Sequence, residues 1–281
     1  MTGPPNAPRR IIPCGVLGPP ESPAPPQGRF RTRSIPLRGP FGNDTPGSDG
    51  YPIPPVELWR GYGQTPAEYL RLAQRHVDSM LATLEPHAQG LDPSPRVLDF
   101  GCAAGPMLRI LRATRPGWEL WGCDIDPIAV DWCRRNLCAA LSVFTNTTAP
   151  HLPLPDAMLD LVYAGSVFTH IEHLADAWLL ELARVLRPGA LLYVTIHDRA
   201  FIRSTIAHAP DWRLTTNIIA HFSEQAAEGD WSCRSLGTGP NANIFYDREC
   251  FLRMASAGFE PLGATERAYG DQTALLLRRR I

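Results

Sequence analysis

The chain has 281 residues, with 27 basic and 28 acidic side chains and a formal net charge of −1; every one of those 27 basic residues is arginine. The absence of lysine excludes Schiff-base chemistry, P-loop phosphate binding and protein-kinase catalysis, each of which depends on a lysine amine. The near-neutral balance argues against nucleic acid as the main partner, and no apolar run approaches the roughly 20 residues of a membrane helix.

After Arg9 and Arg10 only Ile11 and Ile12 precede Pro13, too short an apolar stretch for a secretory signal, so a cytoplasmic location is expected. Seven cysteines, odd in number and without a C-x-x-C pair, read as reduced thiols rather than a disulfide frame or zinc site, and no metal is expected. Residues 1–55 hold 15 of the 29 prolines and no apolar period, which predicts a disordered or polyproline tail followed by one domain over residues 56–281.

Thr65-Pro66-Ala67-Glu68 combines an N-cap, a proline at the first helical position and a capping-box glutamate. Tyr69, Ala73, Val77, Met80 and Leu84 then recur at helical spacing. Beyond Pro95 the pattern alternates. Strands are predicted over 96–100, 118–124, 141–145, 158–165 and 190–196, the last after an Arg187-Pro188-Gly189 turn. Helices are predicted over 106–113, 127 to about 139, and 174–186. Such interleaving implies a parallel, doubly wound α/β sheet. Asp198–Tyr246 is a long excursion with helices expected over 203–206 and 214–227, and with Trp212, Phe222, Trp231 and Phe245 available to line a pocket. Asp247 caps a last helix, and strands over 259–267 and 272–279 suggest an antiparallel hairpin closing the sheet. The Arg278-Arg279-Arg280 run reads as a solvated strand end.

The turn after the first strand is Asp99-Phe-Gly101-Cys-Ala103-Ala-Gly105-Pro106. As a dinucleotide G-x-G-x-x-G it fails at Ala103 and Pro106. As D-x-G-x-[GA]-x-G it fits, with glycines allowing backbone approach to a ligand across the strand end. Asp124 ends the second strand, 23 residues after Gly101, where an acidic side chain can accept from both ribose hydroxyls. Asp126, before Pro127, reads as the cap of the following helix.

With these residues the chain resembles the class I S-adenosylmethionine-dependent methyltransferases over roughly residues 52–280. The resemblance is carried by Val97–Gly105, Gly122–Asp126, Leu152–Asp156 leading into Leu159–Tyr163, and Arg184–Gly189, with Ser166-Val-Phe-Thr-His170 after the fourth strand and Asp271-Gln-Thr at the hairpin. It implies a seven-stranded Rossmann-like sheet with S-adenosylmethionine as cofactor. Asp99, Gly101, Cys102, Ala103 and Gly105 would then face the methionine part, Asp124 the ribose and Ile125 the adenine ring. Asn146 and Thr147 would face the adenine amino group, and Gly165 and Ser166 would close the site. The chain departs from the pattern at Ala103-Ala104-Gly105-Pro106, and at Thr148, where relatives place an aspartate.

Methyl transfer needs alignment more than a fixed catalytic residue, since the reactive group belongs to the cofactor. A hydroxyl acceptor also needs a base. Without lysine, that base is histidine, carboxylate, tyrosine or cysteine. His170 follows the fourth strand on the cofactor side and leads; His197 and Asp198 follow the fifth strand at the same edge. The alternative reading of His170 is a helix-entry residue bonded to backbone. No Asn/Asp-Pro-Pro-aromatic motif follows the fourth strand, which disfavours adenine amino methylation, and no Pro-Cys stands at a core strand end for cytosine attack. Asp160 begins its strand rather than ending it, which disfavours a magnesium site. The expected activity is therefore methyl transfer to a small molecule, such as a sugar or secondary-metabolite hydroxyl. The rival readings are an NAD-dependent oxidoreductase and a non-catalytic S-adenosylmethionine-binding module.

Overall fold

A computed structural model describes residues 46–89, 92–137, 141–171, 173–221, 232–238 and 242–281. Helix α1 (Pro66–Leu84) starts at the capping box read from sequence, with Thr65 Oγ1 accepting from Glu68 N and the Glu68 carboxylate accepting from Thr65 N, each at 3.2 Å. Its buried positions are Tyr69, Ala73, His76, Val77, Met80 and Leu84, one stripe at 3.6-residue spacing laid on the sheet.

The alternating region follows as β1 (Arg96–Phe100), α2 (Pro106–Thr114), β2 (Glu119–Asp124), α3 (Pro127–Asn136), β3 (Leu141–Thr145), β4 (Leu159–Ala164), α4 (Ala175–Val185) and β5 (Leu186–Ile196). These five strands are parallel, so their carboxyl ends share one edge. The turn expected at Arg187-Pro188-Gly189 lies inside β5. Gly189 adopts φ +82°, and the pairing of β5 with β4 shifts register between Leu159 and Leu161, so the turn survives as an irregularity within one strand.

The excursion holds more structure than its sequence suggests: α5 (Arg199–His208), α6 (Arg213–His221), β6 (Cys233–Leu236) and β7 (Asn243–Tyr246), with β6 and β7 forming a separate antiparallel pair. The expected helix over 203–206 is the middle of α5. The far part of the helix expected over 214–227, with Phe222 and Trp231, lies outside the described residues. Phe245 lines no open pocket; it is buried against His197 and Phe201. Helix α7 (Arg248–Ala255), capped by Asp247, leads into β8 (Phe259–Tyr269) and β9 (Gln272–Arg279). The sheet order is β3-β2-β1-β4-β5-β9-β8, with β9 antiparallel to both neighbours. Of the terminal arginines, Arg280 is exposed, as a solvated strand end requires, while Arg278 and Arg279 are half-buried. Arg279 Nε donates to Ala183 O of α4 at 2.7 Å, and Arg280 Nε to Ser256 O and Phe259 O at 2.9 Å.

One core, containing α1, α2 and α3, covers one face of the sheet, while α4 and α7 cover the other. Residues 1–45 of the expected tail lie outside the described residues, but residues 46–55 are packed. Asp49, Tyr51 and Pro52 converge on Arg109 of α2, whose side chain is wholly buried. Its Nε and Nη2 donate to the two Asp49 carboxylate oxygens at 2.5 and 2.6 Å, Nη1 to Pro52 O at 3.0 Å, and Nη2 also to Tyr51 O at 2.9 Å. A bidentate guanidinium–carboxylate pair of this kind is both charge-satisfied and geometrically specific.

Candidate active site

The loop between β1 and α2 is shaped by three left-handed residues, Gly101 (φ +89°), Ala103 (φ +45°) and Gly105 (φ +71°). Packing fixes the two glycines as firmly as any ligand would. A Cβ on Gly101 would stand 2.3 Å from Val167 Cγ2, and one on Gly105 would stand 2.7 Å from Leu137 Cδ1. Gly101→Ala combines this clash with a positive φ and is expected to cost about 2–3 kcal/mol of stability, read by denaturant unfolding. The Cys102 side chain points under the loop, its sulfur 3.1 Å from where a Cβ on Gly122 would stand, so only its backbone is offered to a ligand.

Asp124 organises this loop. Its Oδ2 accepts from Ala103 N at 2.7 Å and its Oδ1 from Asp126 N at 2.8 Å, so one carboxylate ties the carboxyl end of β2 to the turn after β1. Burial raises its pKa, opposed by those two amides and by Arg60. Asp126 caps α3, accepting from Ile128 N and Ala129 N. Beside Asp124, Ile125 presents an exposed apolar side chain. Asn146 N continues the ladder by donating to Asp124 O at 3.1 Å. The Asn146 amide oxygen is buried and without a hydrogen-bond partner. Thr147 is exposed, its hydroxyl accepting from Ala149 N.

On the other side of the loop, Asp99 pairs in register with Tyr163, and Tyr163 with Tyr193. Burial lifts the Asp99 carboxyl well above the usual carboxylate range; the neighbouring Tyr163 hydroxyl opposes the rise and Asp124 adds to it. The Tyr163 hydroxyl faces the Asp99 carboxyl, and the Tyr193 hydroxyl is buried without a hydrogen-bond partner. After β4, Ser166 (φ +58°) joins a closed ring of hydrogen bonds. Its N donates to Thr195 Oγ1 at 2.7 Å, Thr195 Oγ1 to Gln272 Oε1 at 2.6 Å, and Gln272 Nε2 to Ser166 Oγ at 2.9 Å. This ring binds the Ser166-Val-Phe-Thr segment to the Gln272 hairpin.

Three residues that carry no signal in sequence complete this wall. The Tyr62 hydroxyl is hydrogen-bonded to the Tyr269 hydroxyl, the Tyr269 ring stacks on His76 at 3.7 Å, and Tyr62 meets His76 edge-on at 5.2 Å. Gly165 lies directly under the Tyr269 ring; a Cβ there would stand 2.6 Å from Cε2. Burial, with Arg75 assisting, lowers the His76 pKa to about 4, so His76 is neutral near pH 7.

The three candidate bases separate. His170 is exposed, with Nδ1 2.8 Å from Ala242 O. A carbonyl only accepts, so the proton sits on Nδ1 and the Nε2 lone pair is left available. His197 is buried and stacked on Phe201 at 3.9 Å, and burial, with His170 adding, lowers its pKa to about 3. Asp198 caps α5 by accepting from Phe201 N, takes the Thr273 hydroxyl, and pairs with Arg248 at 2.6 Å. Its lone pairs are engaged in structure. Among the described residues, no group of three or more His, Cys, Asp or Glu side chains is placed to hold a metal, and no helix is long and apolar enough to cross a membrane.

The sequence profile of a methyltransferase domain matches residues 98–194, from β1 to the end of β5. The chain is 34% identical over 118 residues to a fatty-acid O-methyltransferase of Mycolicibacterium smegmatis, covering 42% of this chain and 40% of that protein. It is 32% identical over 142 residues to the 27-O-demethylrifamycin SV methyltransferase of Amycolatopsis mediterranei, covering 48% and 49%. Residues 98–194 thus match a methyltransferase domain, and the chain is similar to class I S-adenosylmethionine-dependent methyltransferases. It spans half or less of the length of these curated relatives.

Among solved structures, the chain shares its fold with 1,6-didemethyltoxoflavin-N1-methyltransferase of Burkholderia thailandensis (TM-score 0.50, 14% identity, 80% of this chain and 82% of that one). It also shares it with an S-adenosylmethionine-dependent methyltransferase of Methanosarcina mazei (TM-score 0.50, 16% identity, 69% and 96%). The family's cofactor is S-adenosylmethionine, and the residues present suit it. The left-handed loop, an Asp124 carboxylate with lone pairs to spare and the unpartnered Asn146 oxygen offer what a nucleoside requires.

Proposed function

We propose that this methyltransferase moves the methyl group of S-adenosylmethionine onto a hydroxyl of a small molecule, of the sugar or secondary-metabolite class. The observation that carries the reading is the Asp124 carboxylate, which joins the left-handed loop to the end of β2 beside the unpartnered Asn146 oxygen. Asp124 would hold the ribose, Ile125 and Asn146 the adenine, and the backbone of Gly101–Gly105 with Asp99 the methionine part; Gly165 and Ser166 would close that end. The two curated relatives above carry O-methylation in their names, which favours oxygen as the acceptor atom.

S-adenosylmethionine, when bound, supplies an electrophilic methyl group. The chain's own residues align the acceptor, exclude water and hold the proton that the acceptor loses. Alignment of this kind is worth about 7–11 kcal/mol in favourable cases. His170 would receive the hydroxyl proton on Nε2, with Nδ1 fixed by Ala242 O. His170→Ala is expected to lower kcat about a hundredfold while leaving the affinity for S-adenosylhomocysteine unchanged; an unchanged kcat would exclude His170 as the base.

The test of the whole reading is calorimetry with S-adenosylhomocysteine and with NAD. Saturable binding of S-adenosylhomocysteine but not NAD supports it, and the reverse would overturn it in favour of an oxidoreductase. Ala103 and Pro106, at the positions where a dinucleotide fingerprint needs glycine, already weigh against that alternative.

A further inference from the structure

Residues 59–63 run across the cofactor site and are fastened on both sides of it. Arg60 Nη2 is ion-paired with Asp126 Oδ2, and two residues later the Tyr62 hydroxyl is bonded to the Tyr269 hydroxyl. Asp126 follows β2. The Tyr269 ring covers Gly165, which follows β4. Since β1 lies between β2 and β4 in the sheet, the two fastenings flank the carboxyl end of β1 and the Gly101–Gly105 loop that leaves it. A ligand held between that loop and Asp124 would lie beneath residues 60–62.

The backbone is shaped for this crossing. Arg60 (φ +50°), Gly61 (φ +89°) and Gly63 (φ +79°) are all left-handed, and a Cβ on Gly61 would meet nothing within 4 Å. Gly61 is therefore required by its dihedral and not by crowding. The two ends differ in strength. Leu58, Trp59 and Tyr62 are buried in the core, whereas the Arg60 side chain is 57% exposed, and an exposed ion pair is weak and screened by salt. Asp126 divides its oxygens, Oδ1 capping α3 and Oδ2 taking Arg60, so releasing Arg60 leaves the helix cap in place.

The geometry points to Arg60 and Tyr62 as a clasp that positions the cofactor: Arg60 is the end that opens and recloses over the ribose side, and Tyr62 is the fixed end beside Asp99. The inference rests on the reading of this site as one for S-adenosylmethionine. Neither residue acts on the acceptor, so both are positioning residues, and their signature lies in the lifetime of the bound nucleoside.

The test uses the full chain, S-adenosylhomocysteine as the probe, hydrogen exchange over residues 59–63 and the dissociation rate of the probe. Bound probe should slow exchange of these amides about tenfold or more. Arg60→Ala should speed release about five- to tenfold with little change in Tm, since only an exposed pair is lost. Asp126→Asn, which keeps an acceptor for the α3 cap, should do the same and separates loss of the clasp from loss of the Arg60 charge near Asp124. Raising the ionic strength should speed release from the wild type and not from Arg60→Ala. If wild type fails to bind the probe, the cofactor reading fails and the clasp with it. If wild type binds but exchange over 59–63 is unaltered, or both variants release at the wild-type rate, the cofactor reading stands and the clasp is refuted.

Discussion

Replacing Asp124 by alanine is expected to weaken S-adenosylhomocysteine binding by about a thousandfold, because hydrogen bonds to a charged group are worth about 1.5–3 kcal/mol each and more than one is lost at once. The carboxylate accepts from Ala103 N and Asp126 N, and under the proposed function it also accepts from the ribose. Removing it deletes the ribose acceptor and releases the loop that forms the floor of the site. Asp124→Asn should fall between, since the amide retains one acceptor but turns an N–H toward a second donor. Calorimetry on both variants decides the matter. Unimpaired binding by Asp124→Ala would mean that the nucleoside sits elsewhere.

Asp49→Ala is expected to lower the unfolding free energy by about 3–5 kcal/mol, the usual cost of stranding one member of a buried ion pair. Arg109 is the stranded group. Its side chain has no exposure, and a guanidinium cannot escape by giving up its proton as a lysine amine can. The carbonyls of Tyr51 and Pro52 would remain as acceptors, but no negative charge would. Urea unfolding measures the loss, and Asp49→Ala combined with Arg109→Met should recover part of it by removing both charges together. Full stability in the single variant would show that the Asp49–Arg109 pair contributes nothing to stability.

What sequence could disclose here followed from local rules. Strands alternating with helices imply the parallel sheet, a capping residue before a proline (Thr65 and Asp126) marks the starts of α1 and α3, and the interval from Gly101 to Asp124 brings the loop and the carboxylate together. Longer-range facts were out of reach. Arg109 reads as an ordinary surface residue of a short helix; only a partner 60 positions earlier in the chain, Asp49, makes its burial possible. That partner lies in a stretch whose prolines suggested a tail, because composition cannot see a single carboxylate docking on a distant helix. Tyr62, His76 and Tyr269 come from three separate elements and share no motif. The β6–β7 pair is too short, and too poor in alternation, to stand out within the excursion. At Arg187-Pro188-Gly189 the residue types predict a turn, but these residues lie within β5, whose pairing with β4 spans them.

The first-named parts proposed to hold the nucleoside, Asp99 to Ser166, all fall within residues 98–194, the stretch matched by the methyltransferase profile. The α5, α6 and β6–β7 excursion lies after it in the chain, and the packed segment at residues 46–63 lies before it. One continuous stretch thus carries most of the groups proposed to hold the reagent, joined from before it by the Arg60–Tyr62 clasp, while the excursion after it takes no part in holding the nucleoside under this reading. Under the proposed function, substitutions in the excursion are expected to alter the choice of acceptor more than the affinity for the methyl donor, so a lineage could try new acceptors while keeping its source of methyl groups.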